Sequence, residues 1–221
     1  MLDIYLETGH KRTFAGALAW PGWCRGARDE DGAVQALLEY APRYATVVQR
    51  AGLRFDPKDL KPRIVERLDG DASTDFGAPG AAPSVDAEPV RAADLEQMRS
   101  VLDGCWHVFD AAARAARGKE LARGPRGGGR DLDRIVEHVL GADQGYLSRV
   151  GVKFSRQPDE DLQAAVPRSR QAIVEALEAA ARGEVPAAGP RGGTRWSARY
   201  FVRRVAWHVL DHAWEIEDRT P

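Results

Sequence analysis

The spacing of apolar residues changes near residue 92, and the two spacings predict two kinds of structure. Before residue 70, short runs rich in β-branched and aromatic residues lie between turn-forming residues. Such runs are typical of β-strands, in which successive side chains point to opposite faces of a sheet. They predict strands at 3–7, 12–20, 21–27 and 62–70.

One helix is predicted within this first part, over residues 29–52. The segment begins with acidic residues, which favour a helix N-terminus. It then carries apolar residues at helical spacing, at Val34, Leu37, Leu38 and Ala41. Pro42 is expected to kink or end this helix, because proline has no backbone N–H and clashes with the preceding turn. The first 70 residues are therefore expected to form a small β-β-β-α-β unit.

Residues 71–91 are rich in glycine, alanine, proline and aspartate and show little periodicity. This composition predicts a linker or a long loop. Pro79, Pro83 and Pro89 argue against a helix in this segment.

From residue 92 onward, apolar residues recur every three or four positions, which predicts amphipathic helices. We expect four of them, at 93–119, 131–150, 167–183 and 194–219. The glycine-rich stretch 123–129 is expected to close the first. Pro167 suits a first helical turn, Gly183 suits a C-terminal stop and Thr194 suits an N-cap.

Four amphipathic helices of this length can share one core as an antiparallel bundle. The predicted fold is therefore α+β and mainly α overall. It has a small unit at 1–70, a linker at 71–91 and a four-helix bundle at 92–221.

Composition narrows the classes of function. Lysine and arginine number 32 against 33 aspartates and glutamates, so the concentrated positive charge that binds nucleic acid is not expected. Cys24 and Cys105 are too few for a disulfide framework and fit a reducing compartment. No apolar run approaches the roughly 20 residues that span a bilayer, and the N-terminus lacks the pattern of a signal peptide. We therefore expect a cytoplasmic protein with no membrane partner.

The candidate chemistry lies in histidines on the second and fourth apolar stripes. His208 and His212 are four residues apart, so they lie on one face of a helix, together with Phe201 and Val205. Two neutral imidazoles one turn apart can share a metal ion. A third ligand is available at His138, at the edge of another apolar stripe. If the three bind one ion, their ring nitrogens should lie about 3–4 Å apart.

The same histidines also fit a role in packing alone. An i,i+4 pair of histidines is a weak motif, and buried histidines are often hydrogen-bonded packing residues. His107 is expected to pack or to support the site from outside the ligand set, and His10 to be solvated. The six tryptophans are expected to fill cores, although Trp20 and Trp23 could line a ligand cleft between the two parts of the chain.

Four helices, with His138 within 135–147 and the H-x-x-x-H motif within 207–219, resemble the DinB/YfiT-like family over residues 92–221. The resemblance implies a divalent metal, zinc or nickel, held by three histidines at one end of a bundle. Some members are similar to thiol-dependent S-transferases and to maleylpyruvate isomerase, which use a low-molecular-weight thiol. It therefore implies a small-molecule substrate, with a homodimer left open as the assembly.

The first 70 residues resemble a HicB-type antitoxin fold. The residues that carry this resemblance are 14–41, where a strand, a Pro-Gly turn, a short strand and an acid-started helix follow in order. The resemblance implies that this unit binds a partner. The DNA-binding tail of such antitoxins has no counterpart in the sequence.

Three functions remain open from the sequence. The first is a metal-dependent enzyme, a thiol transferase, isomerase or hydrolase, because a metal on three neutral histidines lowers the pKa of a bound water or thiol. Glu215 and Asp211 are then the candidate catalytic residues, against the alternative that they are solvated or salt-bridged. The second is a non-catalytic sensor of a metal or small molecule, whose N-terminal unit contacts a protein partner. The third is a structural bundle in which the histidines only pack.

Overall fold

The N-terminal part is a four-stranded sheet in the order β3-β2-β1-β4. The structure, a computed structural model, describes residues 1–124, 129–190 and 192–221. β1 (Leu2–Thr8) pairs antiparallel with β2 (Thr13–Ala17), which pairs antiparallel with β3 (Cys24–Ala27). β4 (Pro62–Asp69) pairs with β1 in parallel. All four predicted strands are therefore present.

Two short helices connect β3 to β4, where one interrupted helix was predicted. α1 (Glu30–Glu39) begins at Asp29, whose side chain accepts a hydrogen bond from the backbone N–H of Gly32. α2 (Ala41–Arg50) follows, with Pro42 in its first turn. Proline is tolerated there because that N–H has no partner within the helix. The predicted break at Pro42 is confirmed.

The segment 71–91 is more ordered than the sequence predicted. It contains a short helix, α3 (Ala72–Phe76), and a 3₁₀ turn at Ser84–Ala87. The expectation of no helix was wrong for 72–76 because this helix ends before the first proline and is started by a capping box at Asp71.

A buried carboxylate holds this segment against the sheet. Glu7 on β1 is fully buried. It accepts hydrogen bonds from the hydroxyl of Thr74 and from the backbone N–H groups of Gly80 and Ala81. Three donors satisfy a carboxylate that would otherwise be costly to bury.

Four long helices form the bundle, as predicted. They are α4 (Ala92–Ala116), α5 (Leu132–Arg149), α6 (Leu162–Ala181) and α7 (Ala198–Arg219). α7 contacts each of the other three, and most of its residues are buried. α4 ends before the glycine-rich stretch, of which 125–128 lie outside the described residues.

Two of the predicted helix starts were wrong. α6 begins at Leu162, capped by Asp161, so Pro167 lies inside the helix rather than in its first turn. α7 begins after Ser197, whose side chain accepts from the N–H of Tyr200. Thr194 forms an isolated β-bridge instead, so Trp196 lies before the helix and not in it. Gly183, at φ +73°, follows the last residues of α6, as predicted.

The sheet unit and the bundle share one hydrophobic core, which runs from Leu2 to Ile216. One close approach is at Gly104 on α4, where a Cβ atom would lie 2.5 Å from the carbonyl oxygen of Val47 on α2. Only glycine fits there. The division at residues 70 and 92 stays a sequence prediction, and the two parts pack as one body around this core.

A buried ion pair joins all three parts of the chain. Arg203 on α7 donates two hydrogen bonds to Asp86, at 2.8 and 2.7 Å. It also donates to the backbone carbonyls of Ala17 and Leu18, at the end of β2.

Cys24 and Cys105 are buried thiols, and burial raises the pKa of each. Among the described residues, no helix is long and apolar enough to cross a membrane.

Candidate metal centre

Three histidines from two neighbouring helices converge on one point. Nε2 of His208 lies 3.2 Å from Nε2 of His212 and 3.3 Å from Nε2 of His138. The nearest ligand atoms of the three all lie within 4.8 Å of one another. His208 and His212 are one turn apart on α7, and His138 faces them from α5. The three histidines therefore lie close enough together to bind a metal ion, as the sequence predicted.

The protonation of His212 is fixed by its neighbour. Its Nδ1 lies 2.7 Å from Oε2 of Glu215, a carboxylate oxygen that can only accept when ionised. Nδ1 therefore carries the proton, and in the neutral ring Nε2 is left with a lone pair. This lone pair is on the nitrogen that faces the other two histidines. Carboxylate support of this kind is usual for metal-binding histidines.

Glu215 is itself held on both sides. Arg219, one turn further along α7, donates to its other oxygen at 2.6 Å. Arg219 also donates to the backbone carbonyls of Ala122 and Arg130, which fixes the guanidinium. The hydrogen bonds from His212 and Arg219 lower the pKa of Glu215 to about 2. The carboxylate is thus ionised at neutral pH.

Burial keeps the other two imidazoles neutral. Burial, and after it the neighbouring His212, lowers the pKa of His138 to about 4. The pKa of His208 is lowered well below its usual value for the same reasons. A metal binds the neutral form of histidine, so His138 and His208 do not need to lose protons at neutral pH before an ion enters.

Protons alone satisfy this cluster poorly. With the proton of His212 on Nδ1, a proton on Nε2 of His208 would have to be donated to Nε2 of His138 and to Nε2 of His212 at the same time. With none there, the lone pairs of His208 and His212 would face each other at 3.2 Å. A cation accepting all three lone pairs resolves the conflict, so the donor set fits a divalent metal.

No family model matches the chain, and no curated protein or solved structure matches it. The family resemblances therefore rest on the sequence motifs, and the site rests on its own geometry.

A pocket of about 410 Å³ opens beside His212. The bundle contributes Glu215, Arg219 and Asp211 to its wall, and the N-terminal part contributes Arg25 and Tyr40. Asp211, predicted as a catalytic candidate, forms an ion pair with Arg25 at 2.9 Å. Both predicted candidates thus lie at the pocket. Glu215 is hydrogen-bonded to His212, and Asp211 is paired with Arg25 of the sheet unit.

The remaining histidines lie away from the cluster. His10 is exposed, as expected. His107 is also exposed, with Nδ1 2.8 Å from the backbone oxygen of Asp103. The expectation that it packs or supports the site was wrong, because position 107 lies on the outward face of α4.

Trp20 and Trp23 serve packing rather than a cleft. Trp23 is buried, stacks on Tyr44 at 5.2 Å between ring centroids and donates to the carbonyl of Leu37. Trp20 packs edge-on against Tyr44 and Phe55.

Sequence reasoning missed Arg219 and Tyr146. Arg219 stands four residues after Glu215, a spacing that signals an ion pair on a helix. The ring of Tyr146 meets the ring of His208 edge-on at 5.8 Å. Tyr146 lies eight residues after His138, on the same face of α5, which was the available signal.

Proposed function

We propose that this protein is a divalent-metal-dependent enzyme of the DinB-like type that acts on a small molecule. The observation that carries the proposal is the convergence of the Nε2 atoms of three histidines, at 3.2 and 3.3 Å around His208. Zinc and nickel are the metals proposed, since both accept imidazole ligands. The reaction proposed is transfer or isomerisation with a low-molecular-weight thiol, or a hydrolysis.

A divalent ion on three neutral imidazoles supplies a Lewis acid with an open position, which makes a water or a thiol nucleophilic at neutral pH. The residues of this chain do the rest. Glu215 orients His212 through its Nδ1–H, and Arg219 fixes Glu215. The pocket beside His212 is the proposed place for the reacting end of the small molecule. Arg25 and Tyr40 there give the N-terminal unit a part in the site.

A purification in metal-poor buffer, followed by elemental analysis, tests the metal. We expect about one zinc or nickel ion per chain, lost in His208→Ala and retained in His107→Ala. The control removes an exposed histidine from a different helix. Wild-type protein without metal after addition of Zn²⁺ or Ni²⁺ would contradict the proposal and leave a bundle in which the histidines only pack.

Turnover separates the enzyme from a metal-binding sensor. The metal-loaded protein is assayed for conjugation of low-molecular-weight thiols with electrophiles and for hydrolysis of activated esters. We expect turnover that disappears in folded His208→Ala and persists in His107→Ala. Stoichiometric metal without turnover that depends on His208 would favour the sensor instead.

A further inference from the structure

A second, larger groove of about 970 Å³ is lined by Tyr146, whose ring meets the ring of His208. Its walls come from the C-terminal half of α5 and from the segment that leads into α7. Among the described residues that line it there is no acidic side chain, whereas Arg149, Arg195 and Arg204 all face it. Two aromatic side chains, Tyr146 and Trp196, lie between them.

These arginines are not neutralised by carboxylates of the chain. No salt bridge within the described residues involves any of the three. Arg204 donates to the backbone carbonyl of Pro79 and lies 3.4 Å from the hydroxyl of Tyr146. The guanidinium of Arg149 lies 5.9 Å from the ring of Trp196. Guanidinium groups without acidic partners favour anions that bind between them.

The groove and the histidines lie on the same helix faces. On α5, His138, Ala142 and Tyr146 follow one another at intervals of four residues, and the last two line the groove. On α7, Arg204 stands one turn before His208. The rings of Tyr146 and His208 are 5.8 Å apart, which joins the two places directly.

We infer that this groove binds the anionic end of the substrate, so that the substrate is a small organic anion with a flat apolar part. The arginines bind a carboxylate or a phosphate, Tyr146 and Trp196 pack against the flat part, and the reacting end lies at the histidines. The inference rests on the proposed function for the last of these statements. Binding in the groove itself needs no metal.

Two glycines on α5 allow a matched test of the groove. No described atom lies within 4 Å of a Cβ built on Gly141 or on Gly145. Both residues are exposed and helical, but only Gly145 lines the groove. Gly145→Leu therefore fills the groove without a change of charge, and Gly141→Leu adds the same side chain on the same helix outside it.

The probes are benzoate, phenyl phosphate and the neutral benzyl alcohol, with affinities measured by calorimetry on protein as purified and after treatment with a chelator. We expect the two anions to bind more tightly than benzyl alcohol in both preparations. Gly145→Leu and the double variant Arg149→Gln/Arg195→Gln should each lose about tenfold or more in anion affinity, and Gly141→Leu should not. Tighter binding of benzoate or of phenyl phosphate decides between a carboxylate and a phosphate.

Equal affinities for benzoate and benzyl alcohol, or equal losses in the two leucine variants, would overturn the inference. Thermal melts of each variant confirm that it folds. In NMR spectra recorded after addition of Co²⁺, the proton signals of benzoate or phenyl phosphate should broaden with the wild-type protein and not with His208→Ala. Anion binding that depends on Gly145 in a protein that takes up no metal would leave the groove standing and refute the proposed function. Metal uptake without such anion binding would refute the inference about the groove and leave the proposed function standing.

Discussion

Oε2 of Glu215 lies 2.7 Å from Nδ1 of His212, while Arg219 holds the other oxygen of the same carboxylate at 2.6 Å. The three side chains form a hydrogen-bonded chain along one face of α7. The chain ends at Nε2 of His212, which faces the other two histidines. A carboxylate with a pKa of about 2 is a poor general acid at neutral pH. Its contacts suit a residue that positions a ligand.

Removing the acceptor from His212 should weaken metal binding. We expect Glu215→Ala to lower the affinity for Zn²⁺ by roughly 10–100-fold, measured by competition with a chromophoric chelator. Glu215→Gln should lose less, because the amide oxygen still accepts from Nδ1. Glu217→Ala, on the exposed side of the same helix and paired with Arg43, is the control. If Glu215 takes part in proton transfer instead, the glutamine variant will keep its metal and lose activity as fully as the alanine variant.

Removing a ligand should abolish metal binding and leave the helix formed. His212→Ala places the best helix-forming residue at a buried position of α7, so circular dichroism should change little while the metal content and any activity fall to background. His107→Ala serves as the matched control. A packing histidine would behave differently: its loss would lower the free energy of unfolding by about 2–4 kcal/mol through the cavity. A variant that melts earlier and keeps one metal ion per chain would show that His212 is not a ligand.

Asp143 should make stability fall as the pH rises through neutrality. Burial raises its pKa to about 7, and only the hydroxyl of Ser169 donates to it among the described residues, at 3.3 Å. Between about pH 4 and pH 7 the folded protein keeps this proton and the unfolded chain loses it. The free energy of unfolding therefore decreases over that range, by up to roughly 4 kcal/mol.

The isosteric Asp143→Asn has no proton to lose, so its stability should decline less than that of wild type between about pH 5 and pH 8. Urea unfolding at both pH values measures the difference. The lowered pKa values of His138 and His208 affect both proteins alike and cancel. Asp103→Asn, at an exposed position of α4, should follow wild type. Parallel pH profiles for wild type and Asp143→Asn would show that Asp143 is ionised in the folded state.

The buried ion pair should be costly to break from one side. Asp86→Asn leaves Arg203 buried without a counter-charge, and we expect a loss of about 3–5 kcal/mol in the free energy of unfolding. Asp3→Asn breaks the exposed pair with Arg63 and should cost less than about 1 kcal/mol. Chemical denaturation of the two variants gives the comparison. Similar small losses in both would mean that water reaches Arg203.

Local sequence patterns predicted most of the fold. Period-2 runs predicted the four strands, and Pro42 placed the break between α1 and α2, because both signals act within a few residues. The starts of α6 and α7 were missed because several residues nearby could cap a helix. α6 begins after Asp161 rather than at Pro167, and α7 begins after Ser197 rather than after Thr194. The packing of the bundle selects between such starts, and local sequence does not encode it. α3 was missed because the prolines that follow it dominated the composition of its segment.

The convergence of the three histidines was predictable because helical periodicity fixes directions. Spacing put His208 and His212 on one face, and the apolar stripe pointed them at the core. The surroundings of the site were less predictable from the sequence. Arg25 reaches Asp211 across 186 positions of sequence, and the groove arginines come from three separate segments. Such contacts depend on how the helices pack, and they have no local signature.

The absence of a side chain at Gly104 also bears on how this chain can be recombined. A different N-terminal unit joined to the same bundle would meet α4 at the place where Val47 now lies against that glycine, and would leave Arg203 without Asp86 and the two carbonyls it binds. The two halves are therefore not interchangeable modules. Any functional chimera must transplant the surface of α2 and the residues around Asp86 together with the strands.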